Sequence, residues 1–591
     1  MQGPALGVAR SLSGRRWVWR EGQERIGLGI AERFGVPELV GRVLAARGVA
    51  LEAAGDFLAP TLRAMLPDPS RLADMDRAAE RLAEAVRRGE TVAVFGDYDV
   101  DGACSAALLA TVLGALGAPV LTYVPDRLRE GYGPNAEALL GLAARGARLI
   151  VCADCGSGAA EALGAVTGRV EVIVLDHHKI ELAPPVFATV NPNRLDDRSG
   201  LGGLCATAVA FLAAVALLRA LRRSGFFGAR AEPDLFSFLD LVALATVCDV
   251  MPLTGLNRAL VSQGLKVMAR RERPGLAALM AVAELAGGPS AESCGYALGP
   301  RINAGGRVAE ADLGLRLLLA PDAVAAGPLA RKLDAVNRSR QDVEAGVLEA
   351  ALAAAESQAE AGLPVLVVSG AGWHPGVVGI VAGRIKGRFN RPTCVVGVMG
   401  ELAKGSGRSV AGIDLGAAVI AARQAGLLET GGGHAMAAGF SLAASRLEAF
   451  HAFLNERLAG AAELPGAADL RVEGALSVKG ATAELAALLA RLAPFGAGNE
   501  EPVLVLPRVR VVRADRVGRD GRTIRAIVAD EDGAAGGGRI KAMAFRAAEG
   551  ALAAPLIERA GRLLHLAGHL RLDQWNGAQA PGFVITDAAL A

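Results

Sequence analysis

Hydrophobic positions along this chain follow three successive patterns. From Arg77 to about Met268, short continuous apolar runs alternate with longer stretches of helical spacing. Val92–Phe95, Val120–Val124, Leu149–Cys152 and Val172–Leu175 have the length of strands. Their hydrophobicity is continuous rather than alternating, as expected for strands covered on both faces. Ala103 to Leu113, Cys205 to Leu218 and Leu239 to Val247 read as buried helices. The alternation predicts an α/β fold with a mostly parallel, doubly wound sheet.

The second pattern begins at Ala323–Glu360, rich in Ala and Leu with charges at helical spacing, which reads as one long connecting helix. A second α/β unit follows, with strands at Pro364–Val368 and Thr393–Val398 and a helix at Gly376–Phe389. After Leu464-Pro465 the third pattern consists of short strands at Leu470–Val478, Val503–Leu506, Val509–Val512, Thr523–Val528, Arg539–Phe545, Leu563–Leu570 and Gly582–Ile585. One helix, Ala481–Leu492, interrupts them, and turn chemistry such as Arg519-Asp520-Gly521 joins them, which suits a small β-barrel. Residues 1–75 are Arg-rich with short helical patterns and read as a solvated packing segment, the alternative being a basic arm for nucleic acid. The expected division is 1–75, 76–275, 276–361, 362–462 and 463–591.

Composition narrows the class. The 591 residues are 52% hydrophobic and 21% charged, enough for several packed cores. The net charge of +2 excludes a global basic field, so any nucleic-acid surface must be a local patch. Aromatic residues make up only 4%, which argues against extensive base stacking on exposed rings. Seven scattered cysteines fit reduced thiols in a cytoplasmic protein; Cys152 and Cys155 form a C-x-x-C without the second ligand pair of a zinc finger. No signal-like pattern opens the chain, and the longest apolar run is too short to span a bilayer, so no membrane association is expected.

The candidate chemistry lies at the ends of the predicted strands. Asp97, Asp99 and Asp101 follow the first strand, Asp154 the third, and Asp176, His177 and His178 the fourth; Asp249 closes the helix Leu239–Val247. Ligands of open α/β sheets bind at the carboxyl ends of strands. Crowded carboxylates with imidazole suit Mn²⁺ or Mg²⁺, and two ions can share a bridging carboxylate. Gly200, Gly202 and Gly203 precede an apolar helix, either as a phosphate loop or as a plain one. In GPRINAGGR (299–307), read as a loop, Arg301 and Arg307 flank Asn303 and two glycines, good chemistry for gripping phosphates. In the second α/β unit, Ser406, Arg408 and Ser409 offer donors, and Gly431, Gly432 and Gly433 with His434 form a loop whose backbone can approach a ligand; His374 reads as structural or functional. Arg508, Arg510, Arg513, Arg516, Arg519, Arg522, Arg525, Arg539 and Lys541 crowd the barrel strands.

GDYDVDG (96–102), the Asp154 loop, LDHHK (175–179) and TVCDVMPL (246–253) resemble the four motifs of the DHH phosphoesterase superfamily. Within it, the chain is similar along almost its whole length to a family of bacterial single-strand-specific exonucleases. The resemblance implies metal ligation by Asp99, Asp101, Asp154, His177 and Asp249, with Asp97 among these ligands or next to them. It implies catalytic roles for His178, Asp154 and Asp101, His178 facing the scissile phosphate. It places Arg301, Asn303, Arg307, Ser406, Arg408, Ser409, Gly432, Gly433 and His434 at the substrate, the later ones in a DHH-associated domain. PFGAGNEEPVL (494–504) and the tail resemble an OB-fold for single-stranded nucleic acid. The implied activity is two-metal release of mononucleotides from the 5′ end of single-stranded DNA in recombination and repair. The implied partners are single-strand-binding protein and a repair helicase, with the chain itself a monomer. Small-substrate members of the superfamily (oligoribonucleases, cyclic-dinucleotide hydrolases, manganese pyrophosphatases) share the metal motifs but are shorter and lack such a tail. A non-catalytic DNA-binding scaffold is disfavoured by the intact acid set, and a dinucleotide-binding protein by the absence of G-x-G-x-x-G after the first strand.

Overall fold

The computed structural model describes residues 3–126, 129–285, 287–460, 469–518, 520–531, 538–558, 562–575 and 578–591. Arg519 and the Leu464-Pro465 junction lie outside the described residues. The chain forms two compact units: a sheet unit of Pro60–Val343 with Pro494–Glu500, and a barrel unit of Met1–Ala59, Glu344–Ala493 and Glu501–Ala591.

The sheet unit is built on five parallel strands. Their spatial order is Val120–Tyr123, Val92–Gly96, Leu149–Ala153, Glu171–Leu175 and Ala188–Val190. Successive side chains go to opposite faces, and both faces are covered. Val92, Val94, Val151, Ile173 and Leu175 join a core with the helices Met75–Arg88, Val100–Ala115, Ala206–Arg223 and Leu239–Cys248. Ala93, Phe95, Ile150, Cys152, Val172 and Val174 join a second core with Leu139, Leu142 and Leu163. This double burial is why the strands read as unbroken apolar runs. The first strand sits between the second and third in chain order, so the connections after the first and third strands run in opposite directions. That is the topological switch point, where loops diverge and a ligand crevice opens. The loops after Gly96 and Ala153 are the two that face it.

The segment GPRINAGGR is a helix, Gly299–Val308, where the sequence suggested a loop. It follows a π-helical turn, Cys294–Leu298. Gly306 lets it lie against the first acidic loop, since a Cβ there would meet Tyr98 Cβ and Tyr98 O at 2.9 Å. Residues 494–500 belong to this unit, and Leu253 N–H donates to Ala497 O (2.7 Å).

The barrel unit contains a five-stranded mixed sheet and a closed barrel. In the mixed sheet, Leu366–Ala371 runs parallel to Thr393–Met399, and Leu402–Arg408, Ala437–Ala443 and Thr430–His434 follow antiparallel. The barrel closes because Leu504–Val517 pairs with both Thr523–Asp530 and Leu564–Trp575. Closure removes exposed strand edges.

The amino-terminal segment is not a solvated arm. Residues to Ala59 belong to the barrel unit and those from Pro60 to the sheet unit. Trp17–Trp19 forms a parallel strand with Leu470–Val472. Trp17 is fully buried with Ala5, Val8, Val505, Ala567 and Ala589, and its indole N–H donates to buried Asp587 (2.9 Å). Arg47 pairs with Glu473 (3.2 Å), both nearly buried. Arginines counted as solvent-facing in the sequence thus tie the two ends of the chain together.

Trp17→Ala is expected to destabilise this unit by about 3–5 kcal/mol through the lost aromatic packing. Trp17→Phe keeps most of the ring but leaves an Asp587 oxygen buried without its donor, at about 1–3 kcal/mol. Urea unfolding of the two variants checks both values; no shift for Trp17→Ala would mean that the segment does not dock.

Candidate metal centre

The first acidic loop is a helix start. Asp99 is the N-cap of Val100–Ala115, its Oδ1 accepting from the N–H groups of Asp101 (2.9 Å) and Gly102 (3.1 Å). Val100 N–H donates to Asn303 Oδ1 (3.0 Å), and Ala103 N–H to Asp99 O (2.9 Å). The amides of the first helical turn, which a helix start leaves over, are thus satisfied within the protein. Gly102 is required, because a Cβ there would lie 2.4 Å from Asp97 O.

Asp101 is 1% exposed and points at the start of another helix. Ala206 N–H donates to its Oδ2 (2.7 Å), and Thr207 N–H (2.8 Å) and Thr207 Oγ1 (2.6 Å) to its Oδ1. The glycine-rich loop 200–203 therefore leads to a helix N-terminus that binds an internal carboxylate, not a phosphate. The same N–H groups and helix dipole that attract phosphate stabilise this buried anion.

Asp154 sits in the left-handed region at φ 63°, and Val250, directly after Asp249, at φ 58°. Such conformations cost about 1–3 kcal/mol each in a residue other than glycine. The strain falls beside two of the candidate ligands. His177 Nε2 lies 3.4 Å from Asp154 Oδ1, 3.4 Å from Asp249 Oδ2 and 3.9 Å from Asp101 Oδ2. Three sets of ligand atoms lie within 4.8 Å of one another: Asp97, Asp99 and Asp154; Asp101, His177 and Asp249; and Asp154, His177 and His178. All the metal-ligand positions expected from the sequence thus meet at the switch point.

The electrostatics fit a divalent cation. Burial, and then the charges of Asp101, Asp99 and Asp97, push the Asp154 carboxyl far up. Burial followed by Asp101 and Asp99 raises Asp249 to about 8, and burial raises Asp101. Burial lowers the His177 imidazole and keeps it neutral, the form that ligates a metal. Among the described residues, Asp154 Oδ1, His177 Nε2 and Asp249 Oδ2 are buried and have no hydrogen-bond partner. Unpaired lone pairs converging in a buried site suit a cation, whose charge reverses the repulsion between the acids.

His178 has a different setting. Its Nδ1 is 2.7 Å from Asp176 Oδ1, which also accepts from the backbone N–H groups of His177 (2.7 Å) and His178 (3.2 Å). Burial lowers the His178 pKa, but the Asp176 hydrogen bond and charge outweigh it and bring it to about 9. Asp176 is correspondingly held low: burial opposes this, and the His178 bond and charge overcome it. Tyr132 donates its hydroxyl to Asp154 O (3.2 Å) and approaches the His178 ring nitrogens at 3.3 Å. The sequence places Asp176 with the two histidines at the end of their strand but gives it no role, and it gives no signal for Tyr132.

The expected substrate residues divide. Arg301 bonds Asp334 (2.9 Å) and Ala297 O (2.7 Å), and Asn303 is the cap of Val100. Ser409 is 1% exposed and donates to Ile413 O (2.8 Å). Ser406 and Arg408 share a bond of 3.0 Å beside Gly379, whose missing Cβ would lie 2.9 Å from Ser406 Oγ. Gly432, Gly433 and His434 lie on the hairpin strand Thr430–His434; His434 is exposed. His374 caps the helix Pro375–Phe389 through Gly376 N–H (3.0 Å), so its Nδ1 is structural. On the barrel, Arg508 pairs with Glu531, Arg513 and Arg525 share Asp515, and Lys541 bonds Asp573. Exposed pairs of this kind are weak but reduce the local positive field. Arg516 and Arg539 are exposed.

Known families match three stretches of the chain. The DHH family, N-terminal domain, matches residues 91–246, the DHHA1 domain 362–460 and the RecJ OB domain 472–587. The single-stranded-DNA-specific exonuclease RecJ of Dickeya dadantii is 39% identical over 483 residues, covering 79% of this chain and 83% of that protein. RecJ of Thermus thermophilus solved with Mn²⁺ superimposes with a TM-score of 0.78 at 31% identity, over 96% of this chain and 78% of that one. The same protein solved with Mg²⁺ gives 0.72 at 30% identity, over 96% and 77%. Motif order, metal-centre geometry and these likenesses agree: the chain belongs to the RecJ family of the DHH superfamily.

Proposed function

We propose that this protein is a metal-dependent exonuclease that degrades single-stranded DNA from the 5′ end to mononucleotides in recombination and repair. The observation that carries the reading is the convergence of Asp154 Oδ1, His177 Nε2 and Asp249 Oδ2, buried and unpaired, at the switch point of the sheet. Asp97, Asp99, Asp101, Asp154, His177 and Asp249 would hold two ions of Mn²⁺ or Mg²⁺. Asp154 and His177 each belong to two of the three ligand sets, and of the two only the carboxylate has two oxygens that could serve two ions. When bound, the ions supply an activated water and stabilise the leaving oxygen.

The remaining work falls to side chains. Asp176 fixes the His178 ring through Nδ1 and favours its charged form, which leaves Nε2–H as a donor to a phosphate oxygen or to the departing oxygen. Arg307, Ser406, Arg408, Gly432, Gly433 and His434 supply groups suited to phosphates. Arg301, Asn303 and Ser409 support the loops around them. As functional parts, 76–275 carries the metal centre, 276–361 the adjoining arginine helix and long helix, 362–462 phosphate binding and 463–591 strand binding, with 1–75 for packing. Single-strand-binding protein and a repair helicase are natural partners for a monomer in the cytoplasm. Among the described residues no helix is long and apolar enough to cross a membrane.

The test uses 5′- and 3′-labelled single-stranded DNA, matched RNA and duplex, with Mn²⁺, Mg²⁺ or EDTA. Release of 5′ mononucleotides from single-stranded DNA alone is expected, with none in EDTA or from Asp154→Ala. Cleavage confined to very short or cyclic oligonucleotides would replace the exonuclease by a small-substrate phosphodiesterase.

His178→Ala is expected to lower kcat by about 10²–10⁴-fold, the range of a lost general acid. Mn²⁺ binding should stay near the wild-type value, which titration of the stripped protein checks. A large loss of Mn²⁺ binding would make His178 a ligand instead.

A further inference from the structure

Several asparagine side chains lie around the metal centre with their amide ends bound to backbone. Asn191 is fully buried, and its Nδ2 donates to His178 O (2.8 Å) and Ser157 Oγ (2.9 Å). Its Oδ1 accepts from Asn193 N–H (2.8 Å). Asn193 Nδ2 donates to His177 O (2.6 Å) and Gly202 O (3.1 Å). The two asparagines of NPN thus take the carbonyls of the two adjacent histidines, one each. Asn303 Oδ1 accepts from Val100 N–H, the amide between Asp99 and Asp101. The partners settle which end of each amide faces where: a carbonyl requires the NH₂ end and a backbone N–H the oxygen.

We infer that Asn191, Asn193 and Asn303 are positioning residues, which fix the backbones carrying His177, His178, Asp99 and Asp101 so that the ligand atoms keep their spacing. The inference rests on the metal centre proposed above and moves Asn303 from the DNA grip to the support of the first acidic loop. The loops need such support. Asp97, Asp99, Asp101 and Asp154 repel one another, and Asp154 is in a strained conformation. A loop free to relax would separate the charges and lose the ligand spacing. A rigid amide of fixed length opposes that without adding charge. Groups that orient metal ligands commonly contribute about 10–100-fold in metal affinity.

The chemistry makes a directional test. At 303 only the acceptor is used on the metal loop, so Asn303→Asp preserves the bond and Asn303→Ala removes it. At 191 and 193 the donor is used, and aspartate would set a carboxylate oxygen against a carbonyl oxygen. Asn455 serves as control, since it makes the same kind of clip in the barrel unit, to Val365 N–H (3.2 Å) and His451 O (3.0 Å).

The experiment titrates the EDTA-stripped full chain with Mn²⁺ and follows the paramagnetic signal of the free ion, with thermal unfolding of each metal-free variant alongside. Asn191→Ala, Asn193→Ala and Asn303→Ala are expected to bind Mn²⁺ about 10–100-fold more weakly. Asn303→Asp is expected to bind at least as well as wild type, while Asn191→Asp and Asn193→Asp resemble their alanine variants. Asn455→Ala is expected to melt earlier and bind Mn²⁺ normally. Folded alanine variants with wild-type Mn²⁺ affinity overturn the inference, and a raised KM for single-stranded DNA in Asn303→Ala would return that residue to the grip. If alanine variants fail to fold, the aspartate series decides, and equal Mn²⁺ affinity at 191, 193 and 303 overturns the inference. Failure of the wild type to bind Mn²⁺, or wild-type binding by Asp154→Ala, sinks the metal centre itself.

Discussion

The confinement of negative charge at one edge of a parallel sheet is the constraint on which the rest of this site depends. Asp101, Asp154 and Asp249 meet around the His177 imidazole, Asp97 and Asp99 meet Asp154, and all but Asp99 and Asp249 are at least nine-tenths buried. In the chain alone, burial and mutual repulsion push Asp154, Asp101 and Asp249 towards protonation. Each nearby feature of the fold offsets part of that. The start of the helix Ala206–Arg223 donates to Asp101. Asp99 caps its own helix. What the protein leaves unsatisfied is a small set of oxygen and nitrogen atoms aimed at one another, the complement of a hard divalent cation.

Much of this was legible in the chain because the switch point is a local property of a doubly wound sheet. Unbroken apolar runs marked strands covered on both faces, and an acid after such a strand can only sit at its carboxyl edge. Asp97, Asp99, Asp101, Asp154 and His177 needed no long-range information beyond that, whereas Asp249 ends a helix and reaches the site only through the packing of the fold. Trp17 did, because its partner Asp587 lies at the far end of the chain and nothing local distinguishes a docked arm from a solvated one. Arg301 and Ser409 were misleading for a related reason. An arginine or serine in a glycine-rich stretch has phosphate-binding chemistry until its own partner is known, and here the partners are Asp334 and Ile413 O. The helix Gly299–Val308 was hidden by its glycines, which weaken helix propensity but are needed for its approach to Tyr98.

The same physics decides where helix starts serve. Sequence patterns of glycine before an apolar helix suggest phosphate binding, and the sheet unit has two such starts beside the site. Both are occupied from within: one by Asp99 and Asn303, the other by Asp101. Their dipoles therefore stabilise carboxylates of the chain itself.

The adjacent histidines show how finely environment separates identical residues. Their ring centroids are 4.7 Å apart, yet burial holds His177 neutral while Asp176 holds His178 charged. A metal ligand must offer a lone pair, and a general acid must hold a proton, so one dipeptide provides both only if a single carboxylate contacts one ring and not the other. Asp176 does this by position: it accepts both backbone N–H groups but only the His178 ring. The charges of Asp249 and Asp99 add to the rise at His178. The protonation of one ring and the ligation by the other are thus tied through the same few ångströms of backbone that Asn191 and Asn193 hold in place.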